Sequence, residues 1–273
     1  MHADETPTTV RLEDQNGSKR AYIWCYGVGN KWVYDFTMTR NRFCPQHFLG
    51  DWRGALVTDG YAGYDEVVRV NGISRGGCWS HARRKVKEAL DTGATEAVPL
   101  ARAIGRLFWL ERAVKRRAKQ RKLDDEARVI LRADVRSRLS ATVLAEIREL
   151  VLTLREQRST LPKSALGKAL TYINNQWGPL TLMLAEPAMA IHNNDAERAL
   201  RHVVIGRKNW MFFGSERGGK MGACLFSLIA TCKALDINPE AYLEDVITRV
   251  NTETAIEKLT PWAWAAENGT QPS

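Results

Sequence analysis

The hydrophobic period of this chain changes from two to about 3.6 along its length, and that change limits what it can fold into. The first 37 residues read as strands. The segment "TTVRL" is followed by the turn-rich "EDQNGS". Then "RAYIWCYGV" and "KWVYDFTM", β-branched and aromatic, are separated by Gly29-Asn30. This pattern predicts a three-stranded antiparallel meander. Next, "CPQHFLGDWRG" predicts a short helix ending at Gly54, and "ALVTD" a buried strand with Asp59 at its end. "GYAGYDEVVRV" turns into a short helix, "GISRGGCW" offers another short strand, and "SHARRKVKEALD" a helix capped by Ser80. The order describes a mixed sheet with helices on its faces.

From about residue 95 to 160 the strand signals stop. Ile104, Leu107, Phe108, Leu110, Ala113 and Val114 recur at spacings of three and four, so this block predicts an all-helical insertion of two long helices. Pro162 marks the return. "KSALGKALTYINNQWGPLTLMLAE" predicts more helix, interrupted near Gly178-Pro179, and Pro187 closes it. A further helix starts within 191–210, and a last helical region covers about 219–250. The final "AAENGTQPS" reads as a frayed tail. The expected organisation is therefore a core of 1–94 and 161–250, a helical insertion at 95–160, and a C-terminal segment at 251–273.

With 273 residues, 44% of them hydrophobic, the chain can bury a substantial core. Its net charge of +9 favours an anionic partner, and nucleic acid is the commonest. The five cysteines (25, 44, 78, 224 and 232) are odd in number and scattered, which does not read as a disulfide framework and points to a reducing cytoplasm. The N-terminus has no apolar signal core, and runs such as "LFSLIA" are too short to span a bilayer, so no membrane partner is expected.

Three carboxylates stand out. Asp4 lies on or beside the first strand, Asp59 ends a central strand, and Glu197 lies on a helix. If the first and fourth strands are neighbours, Asp4 and Asp59 share one sheet edge, and a helix across that edge brings Glu197. Three carboxylates at one point need a cation. Hard oxygen ligands suit magnesium or manganese, and a pair of such ions supports phosphoryl chemistry. Bland readings stand beside each residue: a solvated terminus for Asp4, a turn former before Gly60 for Asp59, and a capping box from Asn194 to Glu197. At about 100° per residue, Glu197 lies roughly 60° from Leu200, at the flank of a Leu200/Val203/Val204 face, with Arg201 one turn on.

Other groups compete for attention. Cys44-x-x-His47 and Cys78-x-x-His81 together have the makings of a zinc site, but two unrelated pairs is the favoured reading. The run "RAVKRRAKQRK" at 112–122 is either a phosphate grip or a solvated helix face. "GRKNW" and "GSERGGK" favour DNA contacts, while Trp210 is expected to pack.

Several long segments carry a resemblance: "ADETP", "FLGDWRGALVTDGYAGYDEV", "CWSHARRK", "LPKSALGKALTYINNQW", "NNDAERALRHVVIGRKNWMFFGSERGG" and "LFSLIATCKALDINPEAYLEDV". In order and over nearly the whole chain, they look like the insertion sequence 66 family of bacterial transposases. The resemblance implies a DDE-type catalytic domain on a ribonuclease H-like α/β fold. Asp4, Asp59 and Glu197 would be its catalytic and metal-holding triad, with Mg2+ or Mn2+ as the only cofactor. It implies transposon-end and target DNA as partners, met by Arg198, Arg201, Arg207, Lys208 and His81, and a homo-oligomer assembled on DNA. The expected activity is metal-dependent strand cleavage and strand transfer. The alternatives are an inactive DNA-binding remnant or a structure-specific nuclease on the same fold. Two departures are visible. His192 stands where the family usually has aspartate, and the chain begins three residues before Asp4, which predicts an N-terminally truncated copy or one product of a split reading frame.

Overall fold

A computed structural model describes residues 1–11, 17–157 and 159–269. Most of the turn expected over "EDQNGS" and the last four residues of the expected tail lie outside the described residues. The chain opens with β1 (His2–Arg11), β2 (Ser18–Val28) and β3 (Lys31–Thr37), followed by α1 (Phe43–Leu49), β4 (Ala55–Val57), α2 (Asp65–Asn71), β5 (Ser74–Gly76) and α3 (Trp79–Asp91). Helices then follow: α4 (Val98–Gln120), α5 (Asp125–Val135), α6 (Ala141–Glu156), α7 (Ala165–Asn175) and α8 (Trp177–Thr181). The chain closes with α9 (Asn194–Trp210), α10 (Glu216–Ala234), α11 (Pro239–Arg249) and α12 (Pro261–Glu267). β1, β2 and β3 pair antiparallel in that order, as the alternating pattern predicts, whereas β4 and β5 pair in parallel. The protein is a mixed α/β chain. No helix among the described residues is long and apolar enough to cross a membrane.

The chain divides into two compact units that alternate along the sequence. One comprises Met1–Trp52, Ala62–Arg69 and Asn194–Ser273; the other comprises Arg53–Tyr61 and Val70–Asn193.

In the first unit, one face of the three strands is covered by α9 and α10. Val10, Ile23, Cys25, Tyr34 and Phe36 form a core with Leu200, Val203 and Ala223. β3 is the outer strand of the three, and its backbone is satisfied by hydroxyls of α10. Tyr34 N donates to Ser227 Oγ at 2.8 Å and Trp32 N to Thr231 Oγ1 at 3.1 Å, and Thr231 Oγ1 in turn donates to Trp32 O at 3.1 Å. An edge covered this way offers no template for another strand. On the opposite face Tyr26 stacks on Phe48 and Trp24 meets Tyr64 edge-on, with centroids 3.8 and 6.1 Å apart. The first short helix stops at Gly50 and not at Gly54. Gly50 adopts φ +49°, where glycine bears no Cβ penalty, and its N–H closes onto Gln46 O at 3.1 Å.

The second unit is built on α3, α4, α6 and α7, whose buried residues include Trp79, Ile104, Leu107, Ile147 and Leu170. Two expectations are refined here. Ser80 does not cap α3: the helix begins at Trp79, and Cys78 occupies the cap position without a side-chain cap bond. Contacts with 191–193 set this start, since Trp79 N donates to Ile191 O at 2.9 Å and Asn193 N to Cys78 Sγ at 3.2 Å. The second long helix of the 95–160 block is two helices, α5 and α6, joined by a π-helical turn at Arg136–Ser140. Arg136 is buried in that turn. Its Nη1 donates to Met183 O and its Nη2 to Met189 O, each at 2.9 Å, and its Nε to Glu111 Oε1 at 2.8 Å. Arg136 is the first residue of this π-turn, and its side chain points inward onto the carbonyls of Met183 and Met189.

Candidate functional site

Asp4 and Glu197 belong to the same unit, on elements that pack together. In a strand, alternate residues share a face. On β1, Val10 packs in the core with Leu200 and Val203 of α9, and Thr6 Oγ1 accepts from Arg207 Nη1 at 2.8 Å. His2 Nε2 lies 3.7 Å from Asp195 Oδ2. Asp4 stands between His2 and Thr6 on this helix-facing side, in register with Cys25. Asp195 at one end and Arg207 at the other align α9 with β1 in the same direction. Glu197, in the first turn of α9, follows buried Ala196 and flanks the stripe of Ala196, Leu200 and Val203. Both Asp4 and Glu197 are half-buried. Asp4 Oδ1 accepts from Glu5 N at 2.9 Å. α9 begins at Asn194, so Glu197 is its fourth residue.

The basic residues of α9 fall into two groups. Arg198 is tied to Asp195, and Arg207 donates to Thr6 Oγ1 and to Pro7 O, so both are engaged within their unit. Arg201 and Lys208 are exposed and have no carboxylate partner among the described residues. Trp210 packs against Phe213 with centroids 4.7 Å apart, as expected.

Asp59 belongs to the second unit, two residues beyond β4. Its Oδ1 accepts from Tyr61 N at 2.9 Å, the turn-forming bond expected of an aspartate before glycine. Arg75 of β5 pins the turn from the side. Its Nε donates to Thr58 Oγ1 at 2.9 Å, and its Nη2 to Asp59 O at 2.9 Å and Tyr61 O at 3.0 Å. The turn sits against α7, where Tyr172 Cε2 and the Gln176 amide close off the space at Gly60. Burial raises the Tyr172 phenol, and the nearby Cys78 and Asp59 add to the shift. Sequence reasoning alone does not single out Arg75 or Tyr172. Arg75 sits in β5, the strand paired with β4, and Tyr172 in a helix whose apolar period masks a polar tip.

His81 lies in the first turn of α3, with its N–H on Cys78 O at 3.2 Å. His192, at the position where an aspartate was expected, lies parallel to Phe108 with ring centroids 6.2 Å apart. In the other unit Cys44, in the first turn of α1, donates from Sγ to Thr39 O at 3.3 Å.

Residues Asp4 to Lys208 thus span strand-borne and helix-borne carboxylates with basic residues beside them, and this whole stretch falls within a family of transposases. Residues 1–221 match the transposase IS66 family and 227–262 match the IS66 C-terminal element, and the chain belongs to that family. It is similar to three proteins of Sinorhizobium fredii (strain NBRC 101917 / NGR234), each named as an uncharacterized protein. It is 30% identical to y4jD over 98% of this chain and 54% of that protein. It is 27% identical to y4hP over 97% of this chain and 50% of that protein, and 27% identical to y4qI over 96% and 50%. The chain spans about half the length of these relatives. No solved structure matches it.

Proposed function

We propose that the chain is the catalytic domain of a DDE-type transposase on a ribonuclease H-like fold, acting on the DNA ends of an insertion sequence. The observation that carries this reading is Asp4 on the helix-facing side of β1, packed against the helix that bears Glu197, within the family-matched stretch. Asp4 and Glu197 are hard oxygen donors, a donor set that fits magnesium or manganese, and Asp59 is the third ligand. When bound, such ions neutralise charge on the attacking and leaving oxygens.

The chain's own residues position the DNA. Arg201 and Lys208 hold phosphates, with Arg198, Arg207 and His81 to assist. Arg75 fixes the Asp59 turn so that its carboxylate needs no reordering when substrate arrives. Water attacks the phosphodiester at the transposon end as the P–O3′ bond breaks, and a 3′-hydroxyl is released. That hydroxyl then attacks a target phosphodiester, forming one new P–O bond and breaking another.

The test uses pre-cut and uncut transposon ends with Mg2+ or Mn2+. Glu197→Gln and Asp59→Asn should each lower cleavage and strand transfer by a hundredfold or more and weaken Mn2+ binding, with the thermal midpoint kept. Undiminished cleavage in either variant refutes the assignment. Cleavage without joined products assigns a nuclease, and DNA binding without cleavage assigns a binding remnant.

A further inference from the structure

The helical block of the second unit contains a groove of about 600 Å³ between α4 and α5. Trp109, Ala113, Arg117 and Arg121 recur every fourth residue, so they form one stripe along α4 and onto its C-cap residue. The stripe is apolar at one end and carries two guanidiniums at the other. Leu131 and Leu139 face it from the α5 side. Arg138 lines the same groove, with its Nε 2.7 Å from Asp134 Oδ1, and Asp134 is the one carboxylate in the lining.

Two features set this groove apart from an ordinary gap between helices. Trp109 is 57% exposed and Leu139 is 51% exposed, although a tryptophan gains more than most residues from burial. The run 112–122 holds seven lysines and arginines and no acid, and none of the seven has a carboxylate partner among the described residues. A solvated helix face is commonly laced with ion pairs, as Arg128 with Asp125 and Arg138 with Asp134 show in the segment that follows. Unpaired bases beside an exposed indole call for a partner that is anionic and also carries aromatic faces.

We infer that this groove binds single-stranded DNA, with an unpaired base stacked on Trp109 and the backbone phosphates held by Arg117 and Arg121. The two arginines are one helical turn apart, about 6 Å along the axis, so they meet successive points of one strand. Bases in a duplex are stacked on each other and cannot reach the indole, whereas every unpaired base presents a π-face. Asp134 opposes the phosphates, and its carboxylate is paired with Arg138. The inference rests on DNA as the partner in the proposed function, but it concerns a different surface.

The experiment measures binding of a fluorescein-labelled oligothymidylate, and of a duplex of equal length, to the full chain by anisotropy over a range of salt. Trp109→Ala should weaken single-strand binding roughly tenfold or more and duplex binding much less, while Trp109→Phe keeps most of the affinity. Arg117→Ala with Arg121→Ala should lower the slope of log K against log salt by about 0.7 for each phosphate that is no longer neutralised. Parent-like binding by all three variants overturns the inference. So does an equal loss on duplex and single strand, or a change in molecular mass with no change in binding. If the parent binds no DNA, both this inference and the proposed function fail. If metal-dependent cleavage is present while the groove variants bind normally, only this inference fails. If binding follows the groove but no cleavage occurs, the catalytic reading alone fails.

Discussion

Arg136, with a side chain only 1% exposed, holds Glu111 by a hydrogen bond of 2.8 Å from Nε to Oε1. The same guanidinium reaches the carbonyls of Met183 and Met189, so one charge ties the π-turn to the segment that leads toward α9. Replacing Arg136 by Ala leaves those carbonyls without their donor and, among the described residues, Glu111 with only Arg132, whose Nε is 3.6 Å from Oε2. The expected loss is about 3–5 kcal/mol of stability, and Arg136→Lys recovers little because it lacks the planar fork. Urea unfolding of the two variants checks this, and a parent-like midpoint for Arg136→Ala contradicts it.

Arg207 and Lys208 are neighbours with different engagements. Arg207 donates to Thr6 Oγ1 and Pro7 O, whereas Lys208 is exposed. Arg207→Ala should therefore lower stability by about 1.5–3 kcal/mol, the range for hydrogen bonds that involve a charged group. Lys208→Ala should stay within about 0.5 kcal/mol of the parent yet reduce the salt slope of duplex binding by about 0.9. Thermal melts and DNA titrations of both variants separate the two roles, and an exchange of phenotypes would reverse them.

Burial pushes the Cys232 thiol up to about 11 from an ordinary value near 9. Cys25, Tyr26, Tyr34 and Tyr242 are raised in the same way. A raised acid holds its proton in the folded chain after the unfolded chain has lost it. Its contribution to stability is therefore complete below the unfolded value and disappears as pH rises through the folded one. The thermal midpoint should fall steeply between about pH 9 and 11. At neutral pH iodoacetamide should modify exposed Cys224 well before Cys25, Cys78 or Cys232. A midpoint that is flat across the alkaline range, or early labelling of Cys232, would count against this account.

Gly167 lies in the first turn of α7, where alanine is ordinarily the better helix former by about 1 kcal/mol. An added Cβ would stand 2.2 Å from Leu161 O and 2.9 Å from the Pro162 backbone. Those atoms belong to the chain path into the helix and cannot rotate away. Gly167→Ala should then destabilise by about 1–3 kcal/mol in spite of its helix propensity. A gain in stability would show that the 161–162 turn yields.

The strand meander and most helices are legible in the sequence because their signals are local. Gly29-Asn30 and the alternation around it define β2 and β3, and the three-and-four spacing from Ile104 to Val114 defines α4. The features that escape a sequence reading depend on distant partners. Ser80 has the chemistry of a cap, but Cys78 takes the position because residues 191–193 bond to it and to Trp79. The π-turn is invisible because "VRSRLS" continues an acceptable helical pattern, and the carbonyls that Arg136 reaches lie about fifty residues further on. At the candidate site, the residue types of Asp4, Asp59 and Glu197 can be read directly. The side of β1 on which Asp4 stands follows from strand parity, once Thr6 and Val10 are seen against α9. Arg75 offers no signal, because its role is to brace backbone carbonyls that only the folded turn presents.

The hydroxyl of Tyr34 donates to Ala199 O at 2.7 Å, between residues 165 positions apart in the chain. A ribosome adding about 5–20 residues per second delivers α9 on the order of ten seconds after the strands it covers. For that interval Val10, Ile23 and Phe36 have no helical lid. The nascent meander is then a sticky apolar face, and the later 194–234 stretch both completes the core and ends the period of greatest risk of misassembly. Slower translation between the two would be expected to lower the yield of soluble protein more than any single surface substitution.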